Sequence, residues 1–265
     1  MLNSPSAPGS KRSLGYPGDA EPWGEFVLRH LSPTTAAVLV DAAFFLRRAR
    51  CIWGELAPDE AAGRLHGLAL DHLRDGDGRR TARLYRVFVY DAPPARWKGH
   101  TPLAKKPIDL GRTEVARWRE AFHESLRQKR KVALRLGELP DSLVTWRLRP
   151  SVIRALSRGE RALASVSDAD FELDLRQKGV DMRLGLDIAS LAFKRQVNQI
   201  VLVAGDSDFV PAAKLARREG IDVVLDPMWA TIRPELREHV DGLRSVCPRP
   251  SSRSRVRSDP GGGAP

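Results

Sequence analysis

The sequence predicts an α/β fold with a mostly parallel central sheet. Runs of β-branched and aliphatic residues alternate with amphipathic helical patterns, and in the last third the order is strand, helix, strand, helix, strand. This order implies parallel strands that are joined by right-handed crossovers. With 265 residues, of which 42% are hydrophobic, the chain is long enough to bury a substantial core in one large domain.

The first half of the chain contributes predicted strands that end at polar residues. Residues 36–40 are a short apolar run that stops at Asp41, and residues 84–90 are closed by Asp91, an alanine and two prolines. Between these two runs, apolar residues recur at helical spacing. The elements predicted for this half are strands at 36–40, 84–90 and 132–139, and helices at 44–52, 60–74 and 113–129.

The last third continues the alternation. An Ile-Val-Leu-Val run that is terminated by glycine and aspartate predicts a buried strand, and amphipathic patterns on either side of it predict helices. The predicted elements are helices at 181–196 and 209–219 and strands at 200–203 and 221–225. Residues 140–170 show no pattern that assigns an element.

Composition separates two terminal segments from the predicted domain. Residues 1–30 are rich in Ser, Pro and Gly and are predicted to be flexible, without the apolar centre of a signal peptide. The tail at 248–265 places arginines among Ser, Pro and Gly, so we expect disorder and binding of polyanions. The folded domain is expected at 31–247, with a basic loop inserted near 92–112.

Two kinds of feature are missing from the sequence, and this narrows the classes of protein to which the chain can belong. The only cysteines, Cys51 and Cys247, suggest neither a disulfide framework nor a Cys/His zinc site, and they fit a reduced cytoplasmic setting. No stretch approaches the ~20 apolar residues that a membrane span requires. We therefore expect a cytoplasmic protein without a membrane partner.

The charge balance points to a polyanionic partner, most simply a nucleic acid. Lys and Arg number 44 against 33 Asp and Glu, which gives a formal net charge of +11. The alternative is a soluble protein from a genome of high GC content, in which Arg is common. Within 92–112, cations surround an indole, which suits phosphate contacts and base stacking of single-stranded RNA. The alternative is a solvated loop whose tryptophan packs locally. The candidate RNA-binding residues are Arg96, Trp97, Lys98, Lys105 and Lys106.

A set of aspartates near predicted strand ends and helix starts suggests metal binding. The ends of neighbouring parallel strands face one edge of a sheet, where open α/β sheets bind ligands. Close carboxylates repel each other unless a cation, a proton or amide donors compensate, and hard cations such as Mg²⁺ prefer carboxylate oxygens. Such ions would activate a water and stabilise the leaving oxygen of a phosphodiester. The candidate catalytic and metal-binding residues are Asp41, Asp181, Asp206 and Asp208.

Each aspartate taken alone also has a structural interpretation. Asp181 is a good N-cap for its helix, and Ser207 or Asp208 could cap the helix that starts at Phe209. Asp187 lies well round its helix from Asp181. Asp187 and Ser207 are therefore candidates for residues that contact the metal ligands without binding the metal themselves. Asp187 is alternatively a candidate for an ion pair with a nearby arginine.

Four motifs combine in one order along the chain. They are Val40-Asp41 after the first strand, Arg86 to Pro93 at the second strand, Lys178-Gly179-Val180-Asp181, and Gly205-Asp206-Ser207-Asp208-Phe209. Over roughly 36 to 228 they resemble the NYN domain, a branch of the PIN-like nuclease superfamily. The resemblance implies a doubly wound, three-layer α/β sandwich, RNA cleavage, and the four candidate aspartates as ligands of Mg²⁺ or Mn²⁺.

One position departs from the pattern of this family. Where many members continue the first motif as Asp-Gly-x-Asn, this chain has Asp41-Ala42-Ala43-Phe44. An amide that would orient a phosphate or a metal-bound water is therefore missing. We expect the aromatic ring of Phe44 to pack in the core instead.

These observations lead to one favoured function and two alternatives. The favoured hypothesis is a metal-dependent endoribonuclease that hydrolyses RNA with water as the nucleophile. The second, motivated by the missing Asn, is a catalytically weak or inactive RNA-binding module of the same fold. Toprim-like and phosphatase-like enzymes also use an Asp-x-Asp motif after a strand. A Toprim-like enzyme, however, requires a Glu at the end of its first strand, and a phosphatase-like enzyme requires the Asp-x-Asp motif itself at the first strand. The oligomeric state stays open, with a homodimer as one option.

Overall fold

A parallel six-stranded sheet forms the centre of the computed structural model, which describes residues 34–175 and 177–250. The predicted segment 1–30 and residues 251–265 of the predicted tail lie outside the described residues. The strands are β1 (Thr34–Asp41), β2 (Ala82–Asp91), β3 (Lys98–His100), β4 (Pro107–Asp109), β5 (Val132–Leu136), β6 (Thr145–Leu148), β7 (Phe171–Asp174), β8 (Gln199–Val203), β9 (Asp222–Asp226) and β10 (Gly242–Leu243). The central sheet has the order β10-β9-β8-β1-β2-β5, and every neighbouring pair in it is parallel.

Helices cover both faces of this sheet. They are α1 (Ala42–Trp53), α2 (Pro58–Asp71), α3 (Glu114–Arg127), α4 (Pro150–Ser157), α5 (Val180–Phe193), α6 (Val210–Arg218) and α7 (Pro234–Glu238). Because side chains alternate along a strand, β1 sends Val38 and Val40 into one core and Ala37 and Leu39 into the other. Helices α1 to α3 close the first core, and α5 to α7 close the second. The predicted three-layer α/β fold is confirmed. None of these helices is long and apolar enough to cross a membrane.

The elements that the sequence does not predict are short or pair over a distance. The basic loop at 92–112 contains the antiparallel pair β3–β4, and the unassigned region 140–170 holds β6, α4 and three 3-10 turns. Strands of three or four residues are too short to show a period of two. Strand β6 pairs with β7, which follows α4 in the chain, so no local sequence pattern predicts this pair.

The strand order reverses beside β1, and this reversal creates a crevice at the carboxyl ends of β1 and β8. From β1 the chain builds outward through β2 to β5, and it then returns to form β8, β9 and β10 on the other side. Val40 pairs with Val203 and Asp41 pairs with Tyr90, so the ends of the three central strands lie level. Doubly wound sheets bind their ligands at such a point.

Candidate functional site

Asp41 ends β1 at this crevice and caps the helix that follows. Its Oδ1 accepts a hydrogen bond from the backbone N–H of Phe44 at 3.1 Å, which makes it the N-cap of α1. Burial raises the pKa of Asp41 to about 6; the charge of Asp181 adds to this shift, and the Phe44 amide opposes it. Asp41 is therefore a poorly solvated carboxylate whose charge a cation would stabilise.

Asp181 lies in the first turn of α5 and is electrostatically coupled to Asp41. The N-cap position belongs to Gly179, whose φ of 78° is left-handed, so the predicted N-cap role of Asp181 is wrong. Partial burial, and then the charges of Asp206 and Asp208, raise the pKa of Asp181. This carboxylate thus links the end of β1 to the segment after β8.

Asp206 and Asp208 follow β8 on the 3-10 turn Ser207–Phe209. Asp206 Oδ1 accepts a hydrogen bond from the backbone N–H of Asp208 at 3.1 Å, so Asp206 caps this turn. Helix α6 begins at Val210 without a side-chain cap, and the expectation that Ser207 or Asp208 would cap it is wrong. Both carboxylates are exposed, which leaves them able to change rotamer.

The hydroxyl of Ser207 lies between these two aspartates in the sequence and is buried. Among the described residues, it is the one buried side-chain polar atom without a hydrogen-bond partner. Buried polar groups are almost always hydrogen-bonded. The unpaired hydroxyl is consistent with a water, an ion or a ligand group bound in the crevice.

The four aspartates form one electrostatic group that three parts of the fold contribute. Carboxylate and hydroxyl oxygens are donors that Mg²⁺ and Mn²⁺ prefer, so the residue types fit a divalent ion. In the described part of the chain, however, no three Asp, Glu, His or Cys side chains are placed to hold a metal ion together. A metal ion held by this group would require the exposed carboxylates to change rotamer.

Phe44, the residue at the position of the missing Asn, packs in the core as expected. It is 6% exposed, and its ring lies against Gly205. A Cβ atom at Gly205 would come within 2.5 Å of this ring, so only glycine fits there without a shift. The contact joins the first turn of α1, which Asp41 caps, to the segment that carries Asp206.

Asp187 contacts the sheet rather than the other aspartates. Its Oδ2 accepts hydrogen bonds from the buried Tyr90 hydroxyl at 2.8 Å and from Arg135 Nε at 3.2 Å. Burial, together with the charge of Asp187 and the hydrogen bond to it, raises the pKa of Tyr90 far above its usual range. The predicted ion pair with a nearby arginine is confirmed. It fastens α5, and with it Asp181, to the ends of β2 and β5.

A buried ionic cluster at the end of β2 is the main feature that the sequence does not reveal. Asp91 accepts hydrogen bonds from Arg119 at 2.6 and 2.7 Å and from the backbone N–H of Ala92 at 2.8 Å. The Nε2 atom of His123 lies 2.8 Å from Asp91 Oδ2. The only local signal is that Asp91 follows an apolar strand, as Asp41 does. The cluster anchors α3 to the sheet edge.

An open cleft of about 810 Å³ continues this edge beyond the cluster. Its walls come from α3 and from the segments that follow β2 and β5, and they include Pro93, Arg96, Arg117, His123, Arg127 and Leu136. Ion pairs with Glu120 at 2.7 Å and Glu124 at 3.2 Å hold Arg96 and Arg127. Because β2 lies beside β1, the cleft extends the edge that carries Asp41.

The predicted RNA-binding residues lie on the β3–β4 hairpin and next to it. Four of the five have exposed cationic side chains: Arg96, Lys98, Lys105 and Lys106. Trp97 is half-buried, with its ring against Gly99 and edge-on to Trp146 at a centroid distance of 6.5 Å. Local packing, the alternative considered for this tryptophan, therefore describes its ring better than an exposed stacking platform.

A comparison with protein families finds a similarity over part of the chain. The family model described as the NYN domain matches residues 152–246. This stretch holds Asp181, Asp206 and Asp208, whereas Asp41 lies before it. The match confirms the resemblance found in the sequence and is consistent with a NYN or PIN-like nuclease domain.

Comparisons with individual proteins add similarity without an activity. The uncharacterized protein y4oD of Sinorhizobium fredii is 30% identical over 94 residues, which are 32% of this chain and 44% of that protein. The chain thus spans less than half the length of this relative. A solved structure, a protein of unknown function (VPA0982) from Vibrio parahaemolyticus, shows 14% identity and a TM-score of 0.42 over 81% of this chain and 93% of that chain.

Proposed function

We propose that the protein is a metal-dependent endoribonuclease whose site is the crevice between β1 and β8. One observation carries the proposal: carboxylates from the end of β1, the start of α5 and the turn after β8 are coupled at the switch point of a doubly wound sheet. The match to the NYN domain, a family that generally comprises nucleases, supports the reaction class. The net charge of +11 favours an RNA substrate.

The four aspartates would hold one or two Mg²⁺ or Mn²⁺ ions. A bound ion of this kind supplies an activated water and stabilises the charge on the leaving oxygen. Asp41 is oriented by its hydrogen bond to α1 and would be a fixed ligand, whereas the exposed carboxylates of Asp206 and Asp208 would adjust to the ion. No covalent intermediate is expected, because water is the nucleophile.

RNA would reach the crevice along the carboxyl edge of the sheet. The cleft beside β2 and β5 continues this edge, and its arginines together with the exposed lysines of the β3–β4 hairpin would meet phosphates. Because the ring of Trp97 packs against Trp146, we assign phosphate contact rather than base stacking to the hairpin. Binding along this path would depend strongly on salt.

A cytoplasmic location is part of this proposal. Cys51 and Cys247 are both free thiols, and Cys247 is buried. Free thiols fit a reducing compartment, in which disulfides are rare.

Labelled single-stranded RNA tests the proposed activity. We expect cleavage with Mg²⁺ or Mn²⁺, none with a chelator, and a loss of more than about 100-fold in Asp206→Asn and Asp208→Asn. Substitutions behind metal ligands already cost roughly 10–100-fold, so substitution of a ligand should cost more. Labelled DNA in a parallel arm tests the substrate class.

Asp77→Asn is the matched control for these variants. Asp77 is an exposed carboxylate between α2 and β2, at the amino-terminal edge of the sheet, so this variant should cleave normally. Wild-type rates in both Asp206→Asn and Asp208→Asn would contradict the proposed site.

A non-catalytic RNA-binding module is the second candidate. It is favoured by the burial of Phe44 at the position of the missing Asn, and by the absence of a preformed three-ligand metal group among residues 34–175 and 177–250. It predicts RNA binding that weakens with salt, and no cleavage with any divalent metal. The same assay, run beside a filter-binding titration, separates the two functions.

A further inference from the structure

Two segments of the chain carry many cations and no acidic residue. Residues 79–86 contain four arginines, and residues 127–131 contain two arginines and two lysines. The segments are distant in sequence, and each alone can be interpreted as a solvated charged stretch. Their positions in the fold decide whether they form one surface.

Strand pairing brings the two segments together at the amino-terminal edge of the sheet. Residues 79–86 lead into β2 and form its first residues, whereas 127–131 end α3 and form the turn before β5. The strands β2 and β5 pair from Val87 and Val132 onward, and the backbone N–H of Val87 donates to the carbonyl of Lys131 at 2.9 Å. The fold therefore places a basic surface at the edge opposite the acidic crevice.

A pocket of about 270 Å³ lies where these two segments meet helix α2, and we call it the basic pocket. Two leucines contribute apolar contacts, and the other lining residues are three cations and a histidine. None of the described residues that line it is acidic. The lining residues are His66, Leu70, Arg80, Leu84, Arg130 and Lys131.

Backbone carbonyls, rather than carboxylates, hold the polar residues of the basic pocket. The side chains of Arg80 and Lys131 each donate to a carbonyl at the start of β2. His66 Nε2 lies 3.2 Å from the carbonyl oxygen of Arg130, and it carries the hydrogen because a carbonyl only accepts. Within the part of the chain that the structure describes, none of the three cations forms an ion pair. Their charges are thus positioned but not compensated.

The cleft beside α3 shows the opposite situation. There Arg96 pairs with Glu120 at 2.7 Å, and Arg127 pairs with Glu124 at 3.2 Å. Part of the positive charge of that cleft is therefore balanced by the protein itself. In the basic pocket the like charges add to a positive potential, which an anion from solution would relieve.

Lys131 occupies its place in the basic pocket at a cost to the backbone. Its φ of 62° is left-handed, a conformation that is unfavourable for residues with a side chain and that glycine adopts freely. Glycine at 131 would relieve this strain, but it would remove the cation. The position thus offers a variant in which loss of charge is not accompanied by loss of stability.

We propose that the basic pocket binds a backbone phosphate of RNA, with Arg80, Arg130 and Lys131 as the contacts. The exposed Arg83 and Arg86 on β2 extend the basic surface beyond the pocket. Phosphate contacts carry no sequence information, so this surface holds RNA of any sequence. The inference rests on the proposed function in one respect, since it takes RNA as the ligand.

The basic pocket is separate from the acidic crevice. Leu84 lines the pocket, and Tyr90 lies level with Asp41. Six residues of an extended strand separate Leu84 from Tyr90, which is about 20 Å. The pocket therefore anchors a part of the RNA that is not at the site of cleavage.

Filter binding of labelled single-stranded RNA at several salt concentrations tests the proposal. A chelator is present throughout, so that no RNA is cleaved. Arg80→Glu/Arg130→Glu should bind at least about 10-fold more weakly than the wild type. The slope of log affinity against log salt should fall by about 1.4, because each phosphate contact with a single strand contributes about 0.7. An affinity and a slope equal to those of the wild type would overturn the proposal.

Lys214→Glu/Arg218→Glu is the control, because it changes the net charge by the same amount. Both residues are exposed on α6, which covers the other face of the sheet. This variant should keep the salt slope of the wild type. Equal weakening in the two double variants would show that RNA responds only to the net charge of the protein, and would overturn the basic pocket as a site.

Lys131→Gly separates loss of binding from loss of folding. It removes one phosphate contact and should weaken binding about 4-fold at 0.15 M salt. Its melting temperature should equal or exceed that of the wild type, because glycine relieves the left-handed backbone. Wild-type affinity in this variant would contradict the contact between Lys131 and phosphate.

The basic pocket and the nuclease proposal fail separately. Because binding is measured with a chelator, a protein that never cleaves RNA would still show the difference between the pocket variant and its control. Conversely, loss of cleavage in Asp206→Asn does not depend on the pocket. Wild-type binding by Arg80→Glu/Arg130→Glu would overturn the pocket alone.

Discussion

Asp41 and Asp91 end neighbouring parallel strands, yet their surroundings are opposite. Asp91 is buried against Arg119, which supplies positive charge and hydrogen bonds, and against His123, whose Nε2 atom lies 2.8 Å from Asp91 Oδ2. Asp41 accepts hydrogen bonds from backbone N–H groups, and the positive charge of Arg47 stabilises it weakly, while the negative charge of Asp181 repels it. Arg119 compensates the charge of Asp91, whereas Asp41 lies beside a second carboxylate.

This difference separates an anchoring carboxylate from the one that we propose to be functional. Both residues follow an apolar strand, so the strand-end position alone does not distinguish them. Their partners decide, and these come from helices far along the chain: α3 for Asp91 and α5 for Asp41. The comparison predicts opposite effects on stability when each aspartate is replaced by asparagine.

Asp91→Asn should show the largest effect, a loss of about 3–5 kcal/mol in the free energy of unfolding. The substitution removes the charge that compensates Arg119 and leaves its guanidinium beside a buried neutral amide. Urea denaturation at pH 7 measures the loss. A change below about 1 kcal/mol would show that the cluster does not anchor α3.

Asp41→Asn should instead stabilise the fold at pH 7, by up to about 2–3 kcal/mol. The asparagine oxygen can keep the cap hydrogen bond to Phe44, while burial and the charge of Asp181 no longer oppose a carboxylate. Because the pKa of Asp41 is about 6 when folded and 3.8 in the reference state, the wild type loses stability as pH rises from about 4 to 6.

The pH dependence is the check on this second prediction. Denaturation curves of the wild type and Asp41→Asn should converge as the pH falls below about 4, where the Asp41 carboxyl becomes neutral in both the folded and the unfolded state. They should separate between about pH 4 and 6 and differ most above pH 6. The variant should also lose metal-dependent cleavage under the proposed function. A variant that is less stable than the wild type at pH 7 would show that the Asp41 charge is compensated after all.

Gly205→Ala should cost about 1–2 kcal/mol, because its new methyl group meets the Phe44 ring at 2.5 Å. The strain arises where the segment capped by Asp41 contacts the segment of Asp206. Phe44→Leu in the same chain removes the ring and should recover part of the loss in a double-mutant cycle. Additive effects of the two substitutions would contradict a direct clash.

The sequence predicts five of the six strands of the central sheet, all except β10, and the aspartates of the acidic group, because these depend on local patterns. The buried strand at Gln199–Val203 can be recognised from its own run of apolar residues, and the aspartates lie at strand ends or at a helix start. The partners of Asp91 and the pair β6–β7 depend on chain segments that meet only after folding. Trp97 illustrates the same limit, since the partner of its ring, Trp146, is distant in sequence.

Asp187→Asn should have the smallest effect on stability. It tests whether Asp187 only positions α5 or takes part in the proposed reaction. Its ion pair with Arg135 is partly exposed, so its loss should cost no more than about 1 kcal/mol, and the amide oxygen can still accept the hydrogen bond from Tyr90. Metal-dependent cleavage should persist, whereas Asp181→Asn in the same helix should abolish it. Equal losses of activity in both variants would mean that Asp187 belongs to the acidic group, and that its contact with β2 and β5 is more than an anchor.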